Sequence, residues 1–120
     1  MAHYPQPHRT TRAPRIQANG EAVRLSMEGK VISGALRKIS TTGGLASVKQ
    51  KALPGTLAEI TVNVGSGPIN GLAELLYTRE PQDQAFRFIA LSEEDHERLA
   101  LLIRMALAGL ASRAPALGRR

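Results

Sequence analysis

The fold class is decided by residues 23–48, which read VRLSMEGKVISGALRKISTTGGLASV. Apolar and polar side chains alternate through residues 23–28, which is typical of a strand with one buried face. Two apolar stretches follow, at residues 30–39 and 45–48, and a glycine-containing turn precedes each of them. Gly34 lies inside the first of these stretches and indicates a bulge or the close approach of another backbone. We therefore predict three short strands in succession.

The same pattern continues towards the C-terminus. Residues 60–64 alternate again, and turn-forming residues separate them from further strand-like stretches at 69–79 and 85–91. No helical pattern interrupts this series. Six short strands connected by turns predict an all-β fold with one helix after it, in the form of an antiparallel barrel or sandwich.

A helix is predicted to follow the last strand. Ser92 is suited to the N-cap position, and the three acidic residues after it favour the positive end of the helix dipole. Gly109 marks the predicted end. One face carries apolar residues at helical spacing, namely Leu99, Leu102, Ile103, Ala106, Leu107 and Leu110. This face either packs on the strands or forms a homodimer interface, and the sequence leaves both open.

The 120 residues are interpreted as one domain with two extensions. Residues 1–14 contain three prolines and are predicted to form a flexible basic arm. Residues 15–110 are predicted to form the strands with their helix, and residues 111–120 are predicted to form a disordered tail. The absence of cysteine excludes disulfides, thiolate zinc sites and cysteine nucleophiles. No apolar stretch reaches the roughly 20 residues of a membrane span, and the arm lacks the apolar core of a signal peptide, so we expect a cytoplasmic protein.

The positive charge is concentrated in the first half of the chain. The net charge is +6, and residues 1–60 carry nine basic and three acidic residues, whereas residues 61–120 carry seven of each. Such an asymmetry indicates an anionic partner that contacts one surface. A solvated basic arm would carry the same charges, so the charge alone does not identify a site.

The sequence favours a binding site over a catalytic one. His3, His8 and His96 have no serine or aspartate partner at motif spacing and form no cluster typical of a metal site, so we expect no enzyme. Guanidinium groups bind phosphate through paired hydrogen bonds, and a glycine-containing turn such as residues 40–44 can present backbone N–H groups to an anion. The basic arm and this turn therefore predict an anion or nucleotide site, although such a turn can also merely connect two strands.

These features resemble the PilZ domain, a small bacterial barrel associated with binding cyclic di-GMP. The family pattern is an R-x-x-x-R arm that enters the first strand, then [D/N]-x-S-x-x-G after the second strand, and a C-terminal helix. Here RTTRAPRI at residues 9–16 and KISTTGGL at residues 38–45 stand in these places, and FRFIALS at residues 86–92 is similar to the family's last strand. The resemblance covers residues 8–108 and implies a six-stranded antiparallel PilZ-like β-barrel with a C-terminal α-helix.

The resemblance also implies a ligand site for cyclic di-GMP, with no other cofactor and no metal. The residues it assigns are Arg9, Arg12, Arg15, Lys38, Ser40, Gly43 and Gly44. Two features depart from the family pattern. The arginines are spaced R-x-x-R-x-x-R, and Lys38 stands where the family has an aspartate or asparagine that can accept hydrogen bonds from guanine. Lysine only donates, so Lys38 could contact a phosphate but not replace that acceptor.

Three functions follow, in this order. The first is a cyclic di-GMP receptor module in bacterial second-messenger signalling, which passes its signal to an unidentified protein partner. The second is a PilZ-like adaptor that does not bind the nucleotide, which Lys38 and the arginine spacing favour. The third is a barrel that binds single-stranded nucleic acid. The charge supports it, but two tyrosines and two phenylalanines offer few stacking surfaces, and we rank it last.

Overall fold

A computed structural model describes residues 13–118 of the chain, with side chains up to residue 109. Seven strands and a long helix lie within this range. The strands are β1 (Ile16–Gln17), β2 (Ala22–Met27), β3 (Lys30–Ser40), β4 (Gly43–Val48), β5 (Leu57–Val64), β6 (Gly67–Leu76) and β7 (Asp83–Leu91), and the helix α1 spans Glu93–Gly118. Residues 1–12, which form most of the predicted arm, lie outside the described residues. Over the described range, no helix combines the length and the apolar character that crossing a bilayer requires.

Strands β2 to β7 close into an antiparallel barrel. Around the ring, the hydrogen-bonded order is β3, β2, β5, β6, β7 and β4, and β4 pairs again with β3. Each pairing is antiparallel, as short turns between successive strands allow. The six-stranded barrel with a C-terminal helix is therefore confirmed, and the sandwich alternative is wrong.

Strand β1 is an addition to the predicted fold. It pairs with the C-terminal part of β3, Ile16 opposite Ile39 and Gln17 opposite Lys38, while β2 pairs with the N-terminal part of the same strand. A strand of two residues cannot show an alternating pattern, so its sequence does not reveal it. Its consequence is positional, because it brings Arg15 next to the end of β3.

Strand β3 contains a bulge between Leu36 and Lys38. Leu36 and Ile39 are both buried although they are three residues apart, which regular alternation of side chains does not allow. The bulge accommodates this spacing and leaves Arg37 exposed. Gly34, in the same strand, confirms the predicted close approach, because a Cβ atom there would collide with the carbonyl oxygen of Ser47.

The helix begins as predicted and packs on the barrel with its first turns. The Asp95 amide donates a hydrogen bond to the Ser92 hydroxyl oxygen at 3.0 Å, which is the expected N-cap contact. Leu99 and Ile103 are buried in the same apolar cluster as the barrel interior. The helix continues to Gly118, past the end predicted at Gly109 and into the segment predicted as a tail. A single glycine inside a helix costs only about 1 kcal/mol relative to alanine, so Gly109 does not end it.

Candidate functional site

The turn between β3 and β4 consists of Thr41 and Thr42 and is organised by Ser40. The Ser40 side chain is almost fully buried. Its hydroxyl accepts a hydrogen bond from the Thr42 amide at 3.2 Å and donates one to the Gly43 carbonyl oxygen at 3.2 Å. The Phe88 amide of β7 donates to the Thr42 carbonyl oxygen at 2.8 Å. The turn is therefore fixed both by the side chain that precedes it and by a neighbouring strand.

Gly43 and Gly44 belong to strand β4 and not to the turn, which corrects the turn predicted at residues 40–44. They pair with Arg87 and Phe86 of β7, and neither has a positive φ. A Cβ atom on Gly43 would collide with the Phe86 carbonyl oxygen, and one on Gly44 with the Lys38 carbonyl oxygen. Close packing of three backbones requires these glycines, and Gly44 also lies against the buried side chains of Phe86 and Ile39.

A pocket of about 230 Å³ lies at this position. Its lining includes four of the predicted ligand residues, Arg15, Ser40, Gly43 and Gly44. Arg15 is exposed and enters the pocket because β1 lies along the end of β3. The structure thus brings together residues from the first and the second predicted motif, which are 25 or more positions apart in the chain.

The other predicted ligand residues lie elsewhere. Lys38 is half-buried, is opposite Gln17 of β1 and Leu45 of β4, and does not line this pocket. Arg9 and Arg12 lie outside the described residues, so their roles stay predictions.

Arg87 is a residue of this site that the sequence motifs do not identify. It lines the same pocket from β7, its side chain is 57% exposed, and it forms an ion pair with Glu74, its cross-strand neighbour on β6. In the sequence, a single arginine on the outer face of a strand cannot be distinguished from a solvated surface residue, so nothing around position 87 predicts a binding role.

A second pocket of about 490 Å³ adjoins the first, and the two share Thr42 and Arg87 as lining residues. Its other walls come from Thr41, from the C-terminal part of β7 and from the first turn of α1, including Glu93 and His96. The turn and Arg87 therefore stand between two concave surfaces on one side of the barrel.

Some of the positive charge elsewhere in the first half is used within the chain. The Lys51 ammonium group donates hydrogen bonds to the carbonyl and hydroxyl oxygens of Thr78 at 2.9 and 2.7 Å and to the Glu80 carbonyl oxygen at 2.9 Å, which uses all three of its donors. Arg37 forms an ion pair with Asp83 at 2.8 Å. These two cations hold parts of the barrel together, so the charge asymmetry overstates the number of basic groups available to a ligand.

Comparison with known proteins identifies the fold. The sequence matches no protein-family model and no curated protein. Solved structures do match. The PilZ domain with c-di-GMP of YcgR from Escherichia coli superimposes with a TM-score of 0.67 and 18% identity, covering 88% of this chain and 98% of that one.

Two longer structures are similar. YcgR in complex with c-di-GMP from Escherichia coli gives a TM-score of 0.72 and 21% identity over 90% of this chain and 50% of that one. The Bacillus subtilis inhibitor of motility, MotI/DgrA, gives 0.71 and 13% over 82% and 52%. The chain therefore spans about half the length of these two structures. At these identities the likeness is one of fold, and the chain has the fold of a PilZ domain.

Proposed function

We propose that this chain is a receptor module that binds cyclic di-GMP and passes the signal to a protein partner. The observation that carries the proposal is the pocket that unites Arg15 with Ser40, Gly43 and Gly44. These are positions that the PilZ resemblance assigns to the ligand, and they come from two separate motifs. The YcgR PilZ domain of the same fold is described with c-di-GMP.

The chemistry of the pocket suits a phosphodiester. The exposed Arg15 guanidinium can bind a phosphate through two parallel N–H donors. Gly43 and Gly44 line the pocket with backbone atoms only, so no side chain at these positions competes with a ligand for Arg15. The Ser40 hydroxyl already has partners inside the turn, and it therefore acts by holding Thr42 in place.

Lys38 lowers the expected affinity. It supplies no acceptor for the N–H groups of a guanine edge. An unpaired donor costs about 1–3 kcal/mol, which corresponds to a roughly five- to hundredfold weaker complex than an acceptor at this position would give. We therefore expect weakened but saturable binding.

Isothermal titration calorimetry of the full chain with cyclic di-GMP tests the proposal. Saturable heat is expected for the wild type, with a loss of at least about tenfold in affinity for Arg15→Gln, because a charge-assisted contact to phosphate disappears. Arg24→Gln is the matched control, since it removes the same charge from an exposed position on β2, opposite Ser33 and Thr61. No heat from the wild type at millimolar nucleotide would overturn the proposal.

The second candidate is a PilZ-like adaptor that binds proteins without the nucleotide. Lys38 favours it, and so do Leu101 and Met105, two apolar side chains of α1 that are 50% and 63% exposed and lie one helical turn apart. Lys38→Asp separates the candidates. Binding that appears only in this variant would show that the natural lysine disables the site, whereas binding by the wild type excludes a pure adaptor.

A further inference from the structure

Four residues form a continuous row across four neighbouring strands of the barrel. Glu74 of β6 is opposite Arg87 of β7, Arg87 is opposite Gly43 of β4, and Gly43 is opposite Ser40 of β3. Neighbouring strands lie about 4.8 Å apart. Arg87 therefore has an acidic residue on one side and the proposed ligand residues on the other.

Gly43 allows Arg87 to line the pocket. Because it carries no side chain, nothing at that position separates Arg87 from the pocket, and Arg87 lines the pocket together with Arg15. Arg87 also lines the adjoining larger pocket. It is thus a cation shared by both concave surfaces.

The guanidinium of Arg87 is engaged by Glu74. Their side chains are 57% and 28% exposed, and ion pairs in such solvated positions are weak. A carboxylate and a phosphate bind guanidinium in the same way, through paired oxygens. A phosphate in the pocket would therefore compete with Glu74 for the same N–H groups at little cost.

We propose that Arg87 is a further ligand-binding residue and that Glu74 restrains it until a phosphate displaces the carboxylate. This inference rests on the proposed function and adds a control element to it. Arg15 and Arg87 would then face the ligand from β1 and β7, a pair of cations suited to the two phosphodiesters of a cyclic dinucleotide. Glu74 would set how much affinity remains after its own contact is broken.

Calorimetric titration of cyclic di-GMP into the full chain tests this in a double-mutant cycle. Arg87→Gln should weaken binding by about tenfold or more, because a charge-assisted contact is lost. Glu74→Gln should tighten it by about two- to fivefold, because no ion pair has to be broken. In the Arg87→Gln background, Glu74→Gln should have no effect, since its influence passes through the missing guanidinium.

Asp83→Asn is the matched control. It removes one carboxylate from another exposed ion pair, Arg37–Asp83, which lines a different pocket. An equal gain in Asp83→Asn and Glu74→Gln would mean that net charge alone is responsible and would overturn the inference. Circular dichroism checks that each variant is folded, and Arg87→Lys, which keeps the charge but not the paired donors, should bind with intermediate affinity if Arg87→Gln does not fold.

The outcome also separates this inference from the proposed function. Wild-type binding that is weakened by Arg15→Gln but unchanged by Arg87→Gln would leave the receptor function standing and overturn the role of Arg87. Absence of wild-type binding would overturn both.

Discussion

The Ser40 hydroxyl is 3.2 Å from the Thr42 amide nitrogen and accepts its hydrogen, so a buried side chain in the strand fixes the turn that follows it. The same hydroxyl donates to the Gly43 carbonyl oxygen on the other side of the turn. Three consecutive features of the candidate site, the end of β3, the turn and the start of β4, therefore depend on one oxygen atom.

Ser40→Ala should lower the free energy of unfolding by about 1–3 kcal/mol, because it leaves two polar backbone groups without their partner. Urea unfolding followed by circular dichroism measures the change. Ser33→Ala, at an exposed position of the same strand, should change stability by less than about 0.5 kcal/mol. Equal effects of the two substitutions would show that the hydroxyl of Ser40 does not organise the turn.

Gly43→Ala should destabilise the barrel by about 1–3 kcal/mol, because the new methyl group meets the Phe86 carbonyl oxygen and neither backbone can move freely. Gly65→Ala provides the comparison. Gly65 has open space around a Cβ atom and no positive φ, so the substitution should be neutral or slightly stabilising. Thermal unfolding of both variants decides the point, and a Gly43→Ala protein as stable as Gly65→Ala would contradict the packing argument.

Lys51→Met should lower the melting temperature although it reduces the net positive charge of the chain. The substitution removes three hydrogen bonds to Thr78 and Glu80. A hydrogen bond to a charged group contributes about 1.5–3 kcal/mol to stability. Lys49→Met removes the same charge from an exposed neighbour and should leave the melting temperature nearly unchanged. A higher melting temperature for both would show that charge repulsion outweighs the contacts of Lys51.

Arg98→Gln should loosen the attachment of α1 to the barrel. Arg98 donates to the Pro68 carbonyl oxygen at 3.0 Å and to the Ser66 hydroxyl at 3.2 Å, and it pairs with Asp95 at 2.9 Å. We expect a loss of about 1–2 kcal/mol, whereas Arg104→Gln, on an exposed part of the same helix, should have little effect. Faster amide exchange in the first turns of α1 in Arg98→Gln alone would confirm the attachment. Identical exchange in the two variants would argue against it.

The barrel strands could be predicted because their signal is local. Each strand of the ring buries one face, so alternation along residues 23–28 or 60–64 is visible without knowledge of the partner strand. Helix α1 is equally predictable, from the N-cap residue Ser92 and from the apolar spacing of Leu99 and Ile103. The end of the helix is not predictable in this way, because a glycine at position 109 only weakens a helix and does not terminate it.

The candidate site depends on contacts that no local pattern contains. Arg15 lines the same pocket as Ser40 because of β1, whose two residues are too few to show a period. Glycine is frequent in turns, so the sequence predicts a turn at Gly43. The structure requires a glycine there for another reason, because the Phe86 backbone, 43 positions later in the chain, leaves no room for a Cβ atom. Arg87 reaches the same pocket through its register with Gly43. Such register is a property of the closed sheet, and it could be anticipated only from the resemblance to a known family.

Closure of the sheet also limits how another chain can bind. Strands β2 to β7 each have neighbours on both sides, so a partner cannot extend this ring by adding a strand of its own and must recognise side chains instead. Strand β1 is the place where backbone pairing is shortest, with two residues opposite Lys38 and Ile39. Its displacement would uncover that part of the β3 edge. A ligand that binds Arg15 would keep β1 paired with β3 and this edge covered. The Ala18 amide donates a hydrogen bond to the Arg37 carbonyl oxygen at 2.8 Å, so slower hydrogen exchange of this amide would report the pairing directly.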